Sequence, residues 1–439
     1  MHQATRVVAS LLAATSAAGS TVRAQAATTY LPPRALAPAE AESPERLLAA
    51  INGVRATSRG TIFVNDRAAR HVVMLDRDLS PVRMVIDASP ATGGLYGLYA
   101  TRMFAMPGDS TLFLDNSSET FTVLDPEGRI ARRVPVPSIP VRQDLVHVLS
   151  GTPAFDGRGR LVYRALGRSQ RALIEMGQSG TRTKPERVPL LRLDLATGHL
   201  DTATVVQIYQ QREVILHQVS RTSFMPLLHP APTVDEWAML SDGTIAVVRG
   251  EDYHVDFIRS DGALVSGAPI PYPARDLGPA DKVALLDSSR AVRTRMLAAG
   301  LPLGREVAPL PGAVFHSAPP VLVADDGNPA PTAAASSPPP DQWVSPEEIP
   351  NRLPVFSAGS VRTDADGNLW VQTIRFTQER GSFVYDVIDR SGVLVDRVQV
   401  PFGASIVGFA PGGAVLLARR DGNSLRLARA RHDVGAGRR

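Results

Sequence analysis

The chain has no cysteine among its 439 residues, and this absence removes three kinds of chemistry at once. Disulfides, thiol nucleophiles and zinc sites with cysteine ligands are all excluded. Aromatic residues make up only 5% of the chain and charged residues only 21%. After the first residues, no apolar run is long enough to cross a membrane as a helix, so no transmembrane segment is expected.

Common catalytic strings are also missing. The sequence contains no H-E-x-x-H, no G-x-S-x-G and no G-x-x-x-x-G-K-[ST]. Its nine histidines show no metal-binding spacing. His217 and His229 fall in one stretch between repeated units, where they are either ligand contacts or ordinary loop residues.

The first 26 residues have the pattern of a secretory signal peptide. Arg6 precedes an apolar run, and small residues lead to an A-x-A site that ends at Ala26. We expect cleavage after Ala26 and a periplasmic or extracellular protein; a buried N-terminal helix is the alternative. Losing Arg6 and Arg23 lowers the net charge of +4 to +2, so no nucleic-acid partner is expected.

Glycine and proline are abundant, with 35 and 36 residues, and they separate short alternating runs that repeat along the chain. The clearest copy spans residues 361–401, where turns at Asp366-Gly367 and Ser391-Gly392 help to divide four predicted strands. Six copies are recognisable, and their turn glycines are 48, 51, 84, 124 and 45 residues apart. These glycines are Gly60, Gly108, Gly159, Gly243, Gly367 and Gly412. One four-stranded sheet has too little core to stand alone, so the copies must pack face to face around an axis.

The run DADGNLWV at residues 364–371 resembles the DxDGNLWV stretch of six-bladed β-propellers of the NHL and TolB-like class. The resemblance covers roughly residues 45–433. It implies an all-β fold, a six-bladed β-propeller of four-stranded antiparallel blades. The sixth unit lacks its outer strand, so we expect residues 28 to about 34, within an N-terminal segment 27–44, to supply it and close the ring. Residues 434–439 are expected to form a flexible tail.

Three insertions interrupt the repeat, at residues 167–187, 207–235 and 272–354. All of them fall on second-to-third strand turns or blade crossings, which lie at one end of a propeller, so a site is expected there. The largest insertion separates blades four and five and contains a predicted helix, 279–299, and a low-complexity tether at about 324–340. The expected apolar face of this helix consists of Val283, Leu286, Ala291, Met296 and Leu297.

Five arginines follow or end second strands and are candidate ligands for a small anion, because guanidinium groups pair with carboxylates and phosphates. They are Arg67, Arg164, Arg249, Arg375 and Arg419. Exposed charges at the end of a soluble ring are the alternative explanation.

Two metal-binding interpretations are weighed. Asp364-x-Asp366-Gly367 resembles the start of a calcium loop, but Arg375 occupies the place of the required Glu, so a plain turn is favoured. The regucalcin-like gluconolactonases, which are also six-bladed propellers, hold one divalent cation such as calcium in the channel with Glu, Asn and Asp side chains. Candidates for that role, or for repeated turn chemistry, are Asn65, Asp66, Asp115, Asn116, Glu251 and Asp252.

The favoured hypothesis is an exported, non-enzymatic binding module without a cofactor. Its partner would be an unknown envelope protein or a small anionic ligand, bound at the insertion-bearing end by a monomer. A metal-dependent hydrolase that resembles the gluconolactonases is the alternative.

Overall fold

The computed structural model describes residues 31–432, apart from positions 46 and 227 and the segments 90–94, 98–100, 116–119, 137–140, 142–143, 146–150, 168–184, 210–212, 219–220, 299–342, 375–382 and 422–423. Six four-stranded antiparallel sheets form a ring, which confirms the predicted propeller. The predicted signal peptide, tether and C-terminal tail lie outside the described residues. Within them, no helix is both long and apolar enough to cross a membrane.

Each blade runs from an inner strand to an outer strand. Blade one contains β3 (Ile51–Ala56), β4 (Ile62–Asp66), β5 (His71–Leu75) and β6 (Pro81–Asp87). Blade two contains β7 (Thr101–Ala105), β8 (Thr111–Asp115), β9 (Thr120–Leu124) and β10 (Ile130–Pro135). Blade three contains β11 (Ala154–Phe155), β12 (Leu161–Arg164), β13 (Pro185–Leu193) and β14 (Leu200–Tyr209).

A separate hairpin of β15 (Glu213–Gln218) and β16 (Arg221–Pro226) follows blade three. Blade four contains β17 (Glu236–Met239), β18 (Ile245–Val248), β19 (Val255–Ile258) and β20 (Leu264–Ser266). Blade five contains β21 (Phe356–Thr363), β22 (Leu369–Thr373), β23 (Phe383–Ile388) and β24 (Leu394–Val400). Blade six contains β25 (Ala404–Ala410), β26 (Ala414–Asp421) and β27 (Ser424–Arg431).

The apolar core is divided among the six blade interfaces. Side chains alternate along each strand, so neighbouring residues contact opposite blades. In β4, for example, Phe63 packs between blades one and two, whereas Val64 packs between blades one and six. Each strand in the middle of a blade is therefore buried on both faces, which explains the continuous apolar runs in the sequence.

The N-terminal segment completes the ring, but not with the residues that we predicted. The outer strand of blade six is β2 (Ala41–Glu42), antiparallel to β27, rather than residues 28–34. Arg34 belongs instead to β1 (Arg34–Ala35), which adds a parallel strand to the outer edge of blade five. Arg34 also forms an ion pair with Asp396 of blade five, 2.5 Å apart. The segment therefore contacts blade five first and then continues to blade six.

The two ends of the ring differ. Turns after first and third strands lie at one end, where short turns of neighbouring blades contact each other directly. A Cβ atom added to Gly243 would lie 2.1 Å from the backbone nitrogen of Gly157 in the next blade, so glycine is required there. The described parts of the insertions lie at the opposite end, together with the turns after second strands.

The described part of the insertion between blades four and five contains the helix α1 (Pro279–Ala298). Its predicted apolar face was correct at Leu286, which is buried, but wrong at Val283, which is 45% exposed, and at Ala291, which is exposed. Leu285 and Ser289, which were not predicted, are buried as well. Neighbouring chain segments cover Leu285 and Leu286 on one side of the helix, as described below. The side chains of Met296 and Leu297 lie outside the described residues.

Candidate functional site

The two arms of the largest insertion pair with each other above the ring. The backbone nitrogen of Leu277 donates to the carbonyl of Asn351 over 2.7 Å, and that of Leu353 donates to the carbonyl of Arg275 over 2.9 Å. Asp276 and Arg352 form an ion pair, 3.2 Å, across the same pair of arms. The outgoing and return arms thus form a short stem whose base joins blades four and five.

A small apolar cluster holds the helix on this stem. It joins Leu285 and Leu286 of α1 to Trp343 and Leu353 of the return arm, and to Leu228 of the crossing between blades three and four. The crossing is therefore a second support for the insertion. A 3₁₀ turn at Pro346–Glu348 contributes the next residues of the return arm.

A cleft lies between the base of the stem and blade five. Its cavity volume is about 30 Å³, which is room for one or two water molecules. The stem provides mostly apolar walls together with Arg275, and blade five provides both apolar and charged groups. The lining residues are Tyr272, Pro273, Arg275, Leu353, Pro354, Val355, Thr373, Ile374, Asp386 and Arg397.

The floor of the cleft is a buried ion pair. Arg397 Nε donates to Asp386 Oδ1 over 2.9 Å, and both side chains are 1% exposed. Asp386 Oδ2 also accepts a hydrogen bond, 2.9 Å, from the hydroxyl of Tyr253 in blade four. The other guanidinium nitrogens of Arg397 donate to the carbonyls of Leu31 and Pro271, at 3.0 and 2.9 Å. The floor thus links two blades, the insertion and the N-terminal segment.

Tyr253 comes from a tightly held turn between the second and third strands of blade four. Its φ of 44° is in the left-handed region, which is unusual for an aromatic residue. The ring packs edge-on against Tyr272, with centroids 5.8 Å apart. It also packs against Phe356 in a tilted arrangement, with centroids 6.0 Å apart. These contacts hold the strained turn in place and bring its hydroxyl to Asp386.

The same turn carries a second polar network on its other side. Arg249 bonds to Asp235 and Asp256, each over 2.7 Å. His254 lies between two carboxylates, 2.8 Å from Asp252 and 3.2 Å from Asp256. Burial acts to raise the pKa of Asp256, but hydrogen bonds from Ser266 and Arg249 outweigh it, so the pKa is lowered and the carboxylate stays charged.

Among the four candidate arginines that the structure describes, Arg164, Arg249 and Arg419 have separate local partners. Arg67 is exposed, whereas Arg164 is 4% exposed and donates to the carbonyl of Ala165. Arg249 belongs to the network between blades three and four, and Arg419 pairs with Glu42 of the closing strand. Arg375 lies outside the described residues.

The candidate metal ligands are spread over three blades, and most have local partners. Asp66 accepts hydrogen bonds from the backbone nitrogens of Ala49, Ala50 and Ala69 at 2.5, 3.1 and 3.0 Å.

Asn65 accepts one from the hydroxyl of Tyr96 at 2.6 Å. Asp115 is buried at the end of β8, while Glu251 and Asp252 are exposed on the turn of blade four. Asn116 lies outside the described residues. In the described part of the chain, no three His, Asp or Glu side chains converge as a metal site.

Asp364 forms the plain turn that the sequence favoured. Its Oδ1 accepts from the backbone nitrogens of Asp366 and Asn368, and its Oδ2 accepts from Trp370 Nε1 at 3.0 Å.

Sequence reasoning missed Tyr253, Asp386 and Arg397. One signal was available: Asp386 interrupts the apolar run of β23, and Arg397 lies opposite it in β24. A charge at a core position of a strand requires a partner, and the neighbouring strand supplies one.

Comparisons with known proteins give no family for this chain. No family model matches it, and no curated protein matches it. Among solved structures, a gluconolactonase from Xanthomonas campestris is similar at 12% identity, with 92% of this chain and 99% of that chain covered and a TM-score of 0.34. For the virginiamycin B lyase of Staphylococcus aureus the identity is 8%, the coverage 88% and 96%, and the TM-score 0.36. A DUF4221 family member from Bacteroides vulgatus is 8% identical, with 92% of this chain and 97% of that chain covered and a TM-score of 0.39. The fold assignment rests on the strand topology of this chain, and no activity is carried over.

Proposed function

We propose that this chain is an exported, non-enzymatic binding module that captures a partner protein at the insertion-bearing end of the ring. The observation that carries the proposal is the cleft at the base of the stem. It combines apolar walls with a buried Asp386–Arg397 floor, which is the composition of a recognition site.

The size of the cleft favours a protein partner over a free small anion. Sites for whole small molecules have volumes of about 300–1,000 Å³, whereas this cleft has about 30 Å³. A space of this size accepts one projecting group of a larger partner. Its charges also balance, because Asp386 neutralises Arg397 and Asp281 lies 2.9 Å from Arg275. An anionic ligand therefore gains little net attraction from the described walls.

The surroundings of the cleft support a recognition role because they are rigidly held. The floor is fixed by hydrogen bonds from two blades, and the rim is fixed by the paired arms of the stem. A preformed surface loses less conformational entropy when a partner binds. The exposed residues Glu251 and Pro273 flank this region and are available for contact.

Site-specific photocrosslinking in the exporting cell tests the proposal. A benzophenone side chain is placed at Glu251 or Pro273, and the matched control is placed at Asp261, which is exposed at the opposite end of blade four. We expect a discrete adduct of one size from the first two positions and none from Asp261. Equal adducts from both ends, or none from any position, would contradict the proposal. N-terminal sequencing of the exported chain tests the predicted cleavage, with Ala27 as the expected first residue.

A further inference from the structure

The insertion is joined to the crossing between blades three and four along a narrow seam. The backbone nitrogen of Val344 donates to the carbonyl of Leu228 over 3.0 Å, and Trp343 forms a parallel bridge with Leu228. Ala231 packs into the same apolar cluster as Trp343. Between Leu228 and Ala231 lies His229, which is 8% exposed.

Both ring nitrogens of His229 are engaged, and they have opposite roles. The backbone nitrogen of Ala231 donates to Nδ1 over 3.1 Å, so Nδ1 must carry a lone pair. Nε2 lies 3.3 Å from the carbonyl oxygen of Glu348, so Nε2 must carry the proton. Only the neutral imidazole satisfies both contacts. A second proton would turn Nδ1 into a donor that faces another donor.

Burial disfavours a positive charge on this ring, whereas contact with Glu348 favours it. Glu348 is the acidic residue that acts on His229, and its carboxylate already accepts from the backbone nitrogen of Ser345 at 3.1 Å.

Three charged residues of the neighbouring helix have partners of their own. Asp281 bonds to Arg275 at 2.9 Å, Lys282 to Asn351 at 2.8 Å and Asp287 to Arg290 at 3.0 Å. Burial is accordingly the largest influence on His229 and lowers its pKa from 6.5 to about 4.

We propose that His229 is an acid-sensitive contact, and that its protonation releases the insertion from the crossing between blades three and four. The inference deepens the proposed function and rests on it for its biological meaning. Leu353 of the return arm belongs to the same apolar cluster as Leu228 of the crossing and also lines the cleft, so release of the seam removes a support from one wall of the recognition site. The insertion-bearing end thus has a docked form near neutral pH and a released form in acid.

The direction and size of the effect follow from proton linkage. The docked form holds His229 neutral, so docking is strongest above the pKa of a free histidine, 6.5, and weakens as the pH falls toward 4. With a pKa of about 4 in the docked form, docking is weaker at pH 5 than at pH 7.5 by about 30-fold.

Hydrogen exchange of the mature full-length chain, corrected for the intrinsic effect of pH, tests the inference. We expect faster exchange at pH 5 in α1 and in residues 343–353, while β23 of blade five stays protected. His229→Gln keeps a neutral acceptor and donor at this position, so it should lose most of the acid response. His199→Gln, in an exposed turn at the opposite end of the ring, is the control and should respond like the unmodified chain.

Two outcomes would overturn the inference. One is an insertion that exchanges no faster at pH 5 than at pH 7.5, and the other is an acid response that persists in full in His229→Gln. If the insertion of His229→Gln does not dock even at pH 7.5, the pKa of the His229 ring is measured by NMR in the unmodified chain. A pKa near 6.5 would contradict the inference. None of these measurements requires a partner, so failure of the binding proposal and failure of the acid response can be told apart.

Discussion

Arg397 and Asp386 lie opposite each other on neighbouring strands of blade five, with both side chains 1% exposed and Nε 2.9 Å from Oδ1. Asp386→Asn leaves the guanidinium buried without its counter-charge. We expect the free energy of unfolding in urea to fall by about 3–5 kcal/mol. The control is Asp276→Asn, which breaks an exposed ion pair with Arg352 and should cost less than about 1 kcal/mol. Equal losses of unfolding free energy in the two variants would show that burial of an ion pair does not determine its contribution to stability.

The glycine turns at the opposite end supply a second matched pair. Gly243 and Gly198 both have positive φ, 83° and 73°, but only Gly243 lies against a neighbouring blade. Gly198→Ala should cost about 1–3 kcal/mol from backbone strain alone. Gly243→Ala must also displace the backbone of Gly157, so we expect a clearly larger loss in thermal and urea unfolding. A loss no larger than that of Gly198→Ala would contradict the contact.

The closing strand of blade six should be sensitive to salt. Its backbone pairing is only two residues long. Glutamates within this strand and beside it form ion pairs with arginines of blade six. These pairs are Arg419–Glu42, Arg426–Glu42, Arg426–Glu45, Arg429–Glu40 and Arg431–Glu40. Because the Debye length falls to about 3 Å at 1 M salt, exchange of the Glu40 and Ser43 amides should accelerate there.

Glu42→Gln removes two of these pairs, and each exposed pair contributes less than about 1 kcal/mol. We expect the Ser43 amide to exchange faster at low salt, by at most about 30-fold, with a smaller response to added salt. Glu127→Gln, which loses an exposed pair with Arg59 at the opposite end, should leave this amide unchanged. A salt response that is undiminished in Glu42→Gln would contradict a role for these pairs.

A substitution at Asp66 distinguishes a structural role of this carboxylate from a metal-binding role. Because its carboxylate accepts three backbone N–H groups, Asp66→Asn should lower the free energy of unfolding by about 1.5–3 kcal/mol. The metal content of the purified chain, measured by mass spectrometry of the elements, should not change. Asp252→Asn, an exposed candidate at the same end of the ring, should alter neither quantity by much. Loss of a bound divalent ion in either variant would revive the hydrolase alternative.

The ring could be predicted from the sequence because its turns are local. In blade five, one carboxylate, that of Asp364, organises the turn from Asp366 to Trp370. Asp76, Asp125 and Asp156 organise comparable turns in blades one, two and three. Periodic apolar runs between such turns are enough to define strands. The number of blades then follows from counting the copies.

The cleft could not be predicted because its residues come from distant parts of the chain. Tyr253 and Asp386 are 133 residues apart, and Arg397 also reaches Leu31, 366 residues away. No local pattern connects them. The partners of Asp66 could not be predicted for a related reason: the backbone groups that it binds at Ala49 and Ala50 belong to a crossing that precedes its own strand.

The closing strand also fixes when the ring can be completed. Ser43 Oγ accepts a hydrogen bond from the backbone nitrogen of Leu427, 384 residues later in the chain. Closing a loop of this length costs about 5 kcal/mol in chain entropy. The contacts in blade six that offset this cost can form only after β27 has been synthesised. Blades one to five can assemble while the chain is still being synthesised, whereas blade six requires both of its distant segments. We therefore expect ring closure to be the last step of folding, in which β2, near the start of the described chain, pairs with its last strand, β27.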